Sequence, residues 1–283
     1  MTEARRQQLL HAIVDVWDRQ FDPSTGLLPP PATLSCNLHY ALALLETAER
    51  PRMGRAEALI SRITHAILLP PPPPPPSATG FPLALIWHRH RMRLVPALQE
   101  LISSTLQHFA STLRQRSSRD LDALDVFVML SVAEFTFDSV MLAQALAQFD
   151  QLGRLIAAPA SPLTSGGTRT RHAHIAAGDH WTPILIALHL MENHVRHPAV
   201  LERIEALHNS AWKQLRSLPP DNAGLHEFRS AKLATLIERI TSTSSAHHDD
   251  SVPCVNDDLA GVLQVLVLNI GMPRATTAML TAA

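Results

Sequence analysis

One tyrosine, two cysteines and 5% aromatic residues in a chain of 283 residues leave several functions short of equipment. A sugar-polymer site needs stacking rings, and Tyr40 is the only tyrosine available. Cys36 and Cys254 make no disulfide framework of the kind small secreted domains rely on, which fits a reducing compartment. Charge is also scarce, at 17%, and nearly balanced, with a formal net charge of -1. A chain without basic excess lacks the usual footprint of nucleic-acid or anionic-membrane binding. No stretch reaches the roughly 18 consecutive apolar residues of a membrane span. The opening MTEARRQQLLHAIVDVWDRQ alternates charged and apolar residues, unlike the apolar core of a secretory signal. The expectation is a cytoplasmic protein with no membrane and no nucleic acid among its partners.

What the sequence has in quantity is helical period. Apolar residues recur at three- and four-residue spacing over 3–20, 35–48, 53–68, 94–115, 119–136, 138–157, 181–196, 198–217, 226–242 and 256–270. Period-two alternation is nearly missing, so the class is all-α. Proline, glycine and small polar residues punctuate the segments, as in Asp22-Pro23-Ser24-Thr25-Gly26 and Pro219-Pro220-Asp221-Asn222. The resulting connections are short and favour antiparallel hairpins. Two stretches break the pattern. Pro70 to Pro76 with Ser77-Ala78-Thr79-Gly80 reads as an exposed polyproline spacer over 70–80, because proline lacks the amide donor a helix needs. Thr164-Ser165-Gly166-Gly167-Thr168 belongs to a loop spanning 160–178. The length suits one large domain, 1–283.

The segment "HYALALLETAERPRMGRAEALISRITHAI" (His39 to Ile67) resembles the second hairpin of the α/α-toroid proteins related to heparinase and alginate lyases. "PALQELISSTLQHFASTLRQR" with "LDVFVMLSVAEFTFDSVMLAQALAQFDQLGRLI" resembles the next two repeats. "DHWTPILIALHLMENHVRHPAVLERIEALHNSAWKQL" and "AGLHEFRSAKLATLI" resemble those after them. The resemblance implies an incomplete α/α toroid of antiparallel helical hairpins, its function at a funnel formed by the inner helices. Asp179-His180-Trp181-Thr182-Pro183 stands where that family carries an Asn-Ser-Pro-Thr-Tyr-like motif, without its Tyr. The sequence also lacks the β-sandwich that polysaccharide lyases append. Sugar-polymer cleavage is therefore not expected.

Candidate chemistry centres on the sixteen histidines, since imidazole moves protons near neutral pH. Asp179 and His180 offer a carboxylate-oriented imidazole beside Trp181. Asp125 interrupts an apolar run and, if buried, needs a partner such as Arg or His, for which His226 and Arg229 are candidates. These give a catalytic set of His180, Asp179, Asp125 and His226. Asn37, His39 and Tyr40 at the start of the second helix, with Trp87, Trp181 and Arg229, are the substrate-facing candidates. Each has a structural alternative: Ser35 or Asn37 as a helix cap, Asp179 as another, Trp181 as core. Cys36 as a nucleophile needs an activating neighbour that sequence does not supply. His88/His90 and His172/His174, two residues apart, diverge on a helix and converge only on a strand or loop, and no third ligand stands at zinc spacing. Asn256-Asp257-Asp258 resembles a terpene-synthase magnesium motif, but Ala260 and Gln264 occupy its hydroxyl and carboxylate positions. Neither metal nor cofactor is expected. The reading is an acid–base enzyme of cyclase, isomerase or lyase type acting on a small hydrophobic metabolite. The alternatives are an inert toroid scaffold and a degenerate polysaccharide lyase.

Overall fold

The computed structural model describes residues 3–69, 76–116, 122–157 and 181–217. Among them the protein is helical, without a β-strand; a single bridge pairs Asp22 with Leu27. The helices are α1 (Glu3–Gln20), α2 (Leu34–Glu46), α3 (Arg50–Leu68), α4 (Pro76–His90), α5 (Pro96–Arg114), α6 (Ala123–Thr136), α7 (Ser139–Ala157), α8 (Trp181–His194) and α9 (Pro198–Ser217), with a 3₁₀ turn at Arg91–Arg93. No described helix is long and apolar enough to cross a membrane. The expected segments at 226–242 and 256–270, and the loop at 160–178, lie outside the described residues.

Two kinds of helix alternate along the chain. In α2 every residue from Cys36 to Leu45 is buried, in α4 every residue from Thr79 to Ile86, and in α6 every residue from Asp125 to Ala133. A helix apolar all round must be covered on all sides. By contrast α3 buries only Ala56, Leu59, Ile60, Ile63, Thr64 and Ile67, and α7 only Met141, Ala145, Phe149, Leu152, Gly153 and Ile156. These one-sided stripes belong to an outer layer.

The chain forms two compact units, divided between Phe109 and Ala110. In the first, α2 packs against α1, α3 and α4. In the second, α6 packs against α7 and α8, and α9 against α7 and α8. Inner helix thus meets inner helix and outer meets outer, the arrangement of stacked hairpins with links as short as 137–138 and 195–197. Close approach of α7 and α9 uses Gly153, where a Cβ would meet Leu207 Cδ2 at 3.2 Å.

α4 is the helix that periodicity missed. Its sequence is apolar without a stripe, and Gly80 and Pro82 read as breakers. The spacer expected over 70–80 is corrected at its end: the helix begins at Pro76, where a proline's missing amide donor costs nothing, and Ser77 to Gly80 are helical. Pro82 leaves the carbonyl of Ala78 without its usual partner four residues on. The hydroxyl of Ser35, on α2, donates to that carbonyl. An internal proline is thus accommodated by a neighbouring helix.

Candidate functional site

At the start of α2 the side chains hold the local structure. Thr33 caps the helix, its Oγ1 accepting from the Cys36 amide at 3.2 Å. Asn37 is buried; its Oδ1 accepts the Leu28 amide at 2.8 Å and its Nδ2 donates to the Thr33 carbonyl at 2.9 Å. It pins the 21–33 connection onto α2. His39 Nδ1 lies 2.8 Å from the Ser35 carbonyl, so that nitrogen carries the proton, and its ring packs on Phe81 at 5.9 Å. Tyr40 is fully buried between Trp17 and Phe21, at centroid distances of 5.7 and 6.0 Å. Its hydroxyl donates to Asp18 and accepts from Arg55 Nη1 at 3.0 Å. Burial, and then the Asp18 hydrogen bond, push the phenol well above its ordinary range. Arg55 also donates to Asp18 at 2.5 Å and stands over the Phe21 ring at 4.8 Å. Tyr40 thus joins α1, α2 and α3, and Asn37 ties the preceding connection to α2.

Asp125 is buried in α6, as its place in an apolar run suggests. It forms a reciprocal capping box with Asp122: the Asp125 amide donates to Asp122 Oδ1 at 2.9 Å, and the Asp122 amide to Asp125 Oδ2 at 3.2 Å. Trp87 is half-buried near the end of α4, with the Arg91 guanidinium 5.5 Å from its ring centre. Asp179, His180, His226 and Arg229 lie outside the described residues, as does the side chain of Trp181, whose backbone opens α8.

A constellation absent from the candidate set gathers at the other end of the inner helices. Glu46, at the end of α2, receives Arg89 Nε at 2.6 Å and Arg89 Nη2 at 2.9 Å, a bidentate clasp, and His90 Nε2 at 2.8 Å. Arg6 Nη1 is 3.8 Å away. The Glu46 and His90 side chains are 5% and 6% exposed. Burial opposes ionisation of Glu46, but the His90 and Arg89 hydrogen bonds outweigh it and bring the carboxyl down to about 2. An ionised carboxylate accepts only, so His90 Nε2 carries a proton. His90 Nδ1 is buried with no hydrogen-bond partner. The signal was present in "LLETAERP" and "WHRHRMR", but only the packing of α4 on α2 brings them together.

The second unit repeats the device with other atoms. Glu134, near the end of α6, accepts the amides of Arg196 and His197 just beyond α8, at 2.8 and 2.6 Å. In both units a glutamate at the C-terminal end of one inner helix braces the same end of the next. Nearby, His208 Nδ1 lies 3.1 Å from Glu192, and Trp212 Nε1 donates to His208 Nε2 at 3.2 Å, which fixes the tautomer. Among the described residues no group of three or more His, Cys, Asp or Glu side chains is placed to hold a metal ion.

Compared with protein-family models, curated proteins and solved structures, the chain matches none. Its chemistry has to be argued from its own residues. The Glu46–His90 pair has the parts of an acid–base dyad: a carboxylate fixing the imidazole through one nitrogen, with the other nitrogen unpartnered. The His90 and Arg89 hydrogen bonds keep that carboxylate charged.

Proposed function

We propose that this chain is a proton-transfer enzyme of cyclase, isomerase or lyase type, built on an α/α-toroid-like array of hairpins, with a small hydrophobic molecule as substrate. One observation carries the reading: His90 is held by Glu46 at 2.8 Å through Nε2, while its Nδ1 is buried and unpartnered. Leaving a buried polar atom unsatisfied costs about 1–3 kcal/mol, a cost that structure alone gives no reason to retain. In the proposed step Nδ1 takes a proton from a carbon or oxygen acid, and Glu46 stabilises the imidazolium that forms. Return of that proton to a different atom completes an isomerisation or elimination. The toroid assignment is supported by the alternation of wholly buried and one-sided helices.

The second reading is a binding scaffold without chemistry. It is favoured by how Ser35, Asn37, Tyr40 and Asp125 are used: each bonds the protein's own backbone or side chains. Incubation with pools of small ketones, esters and unsaturated acids in deuterated water separates the two. An enzyme of this type washes deuterium into its substrate, and a His90→Gln variant that still folds loses about 10²- to 10⁴-fold in that rate. Exchange at an unchanged rate in the variant, or none with any pool, would favour the scaffold.

A further inference from the structure

The near-neutral average of the whole chain hides a local excess of positive charge. No Asp or Glu occurs between Glu57 and Glu100, and Arg89, Arg91 and Arg93 fall there at every second position. All three are exposed, at the end of α4 and through the 3₁₀ turn that follows. The facing carboxylate is Glu46, already buried and clasped by Arg89 and His90. Arg93 anchors the turn, donating to the Leu45 carbonyl at 3.2 Å and reaching Met53 Sδ at 3.4 Å.

Between and just after the arginines the turn presents apolar side chains to water. Met92 is 85% exposed and Val95 51% exposed. Val95 also occupies a position where its chemistry is wrong for stability. Its carbonyl accepts the first helical bonds of α5, from Leu98 at 3.0 Å and Gln99 at 3.1 Å, which makes it the capping residue. At three other helix starts such positions carry side chains that accept amides, Thr33 at α2, Asp122 at α6 and Asp138 at α7, whereas Glu49 at α3 makes no side-chain cap bond. Valine caps poorly. A local rule broken without structural gain is characteristic of a functional surface.

We propose that the turn Arg89–Val95 docks on an anionic lipid bilayer surface, with Met92 and Val95 entering the interfacial region and Arg91, helped by the charge of Arg93, meeting lipid phosphates. Charge complementarity alone suits any polyanion, including an acidic peptide. The apolar tip flanked by guanidinium groups selects the bilayer, where an apolar interior lies directly beneath an anionic layer.

The test uses the full chain sedimented with vesicles of phosphatidylcholine containing about one third phosphatidylserine, and with phosphatidylcholine alone. Binding is expected to be about tenfold or more stronger to the anionic vesicles and to fall steeply with salt. Arg91→Glu and Met92→Ser, both exposed, are expected to weaken it severalfold, and Met92→Ser, at a position 85% exposed, is expected to leave the melting temperature unchanged. Val95→Ser supplies a reading that a destabilised fold does not imitate: weaker vesicle binding together with equal or higher thermal stability. Absence of binding, or equal binding to both vesicle types, overturns the proposal. So does binding that ignores Met92→Ser and Val95→Ser and is matched by soluble polyglutamate, which would assign the turn to an acidic protein partner.

Discussion

Glu46 reaches from the last turn of α2 to the last turn of α4 and holds His90 Nε2 at 2.8 Å, tying two inner helices through one buried carboxylate. Its carboxyl falls from an ordinary 4.5 to about 2 in the folded protein. A depressed carboxyl pKa stabilises the fold above the unfolded value and ceases to do so as pH falls through the folded one. At about 1.4 kcal/mol per unit, the shift corresponds to about 3 kcal/mol. Glu46→Gln is therefore expected to lose about that much at pH 7, and the gap to the wild type should close between pH 4.5 and about 2. Urea unfolding of both proteins across that range checks it. A constant gap would remove Glu46 from the acid response.

Asn37 tests whether the start of α2 is a rim or a joint. Losing its bonds to Leu28 and Thr33, Asn37→Ala is expected to cost about 2–3 kcal/mol. Asn37→Asp should cost more, because a carboxylate oxygen would then face the Thr33 carbonyl. Chemical denaturation measures both. A neutral effect in each would return Asn37 to the substrate-facing set.

Tyr40 is expected to stay protonated far into the alkaline range, since burial and Asp18 raise its pKa. The stabilising contribution is complete below the ordinary value of 10.0 and fades as pH rises above it. Tyr40→Phe keeps the packing on Trp17 and Phe21 and should cost about 1–2 kcal/mol at pH 7. The phenolate absorbance of the wild type should then appear only with unfolding. An earlier titration would contradict the burial argument.

Phe137 ends α6 in the left-handed region, at φ 56°, with its ring 92% exposed. Glycine accepts that conformation without the Cβ clash, and the exposed ring gives up little burial. Phe137→Gly is expected to raise stability by about 0.5–1 kcal/mol. Calorimetry showing a loss instead would mean that the aromatic side chain makes contacts in solution.

Helical class and the ends of most helices were legible in the sequence, because amphipathic stripes and breakers are local properties. The segments expected at 3–20, 138–157 and 198–217 match α1, α7 and α9 to within a residue. α4 was not legible, since a wholly buried helix has no stripe and its Pro82 becomes tolerable only when Ser35 on another helix reaches the Ala78 carbonyl. The same limit governed chemistry. Sequence located polar residues such as Asn37, Tyr40 and Asp125 in apolar surroundings, yet their hydrogen-bond partners at Leu28, Asp18 and Asp122 followed from geometry. Glu46 and His90 are 44 positions apart, and nothing in either segment points to the other. Only the stacking of one inner helix on the next puts a charged carboxylate on one imidazole nitrogen and leaves the other bare, because proximity across a core is set by packing and not by distance along the chain.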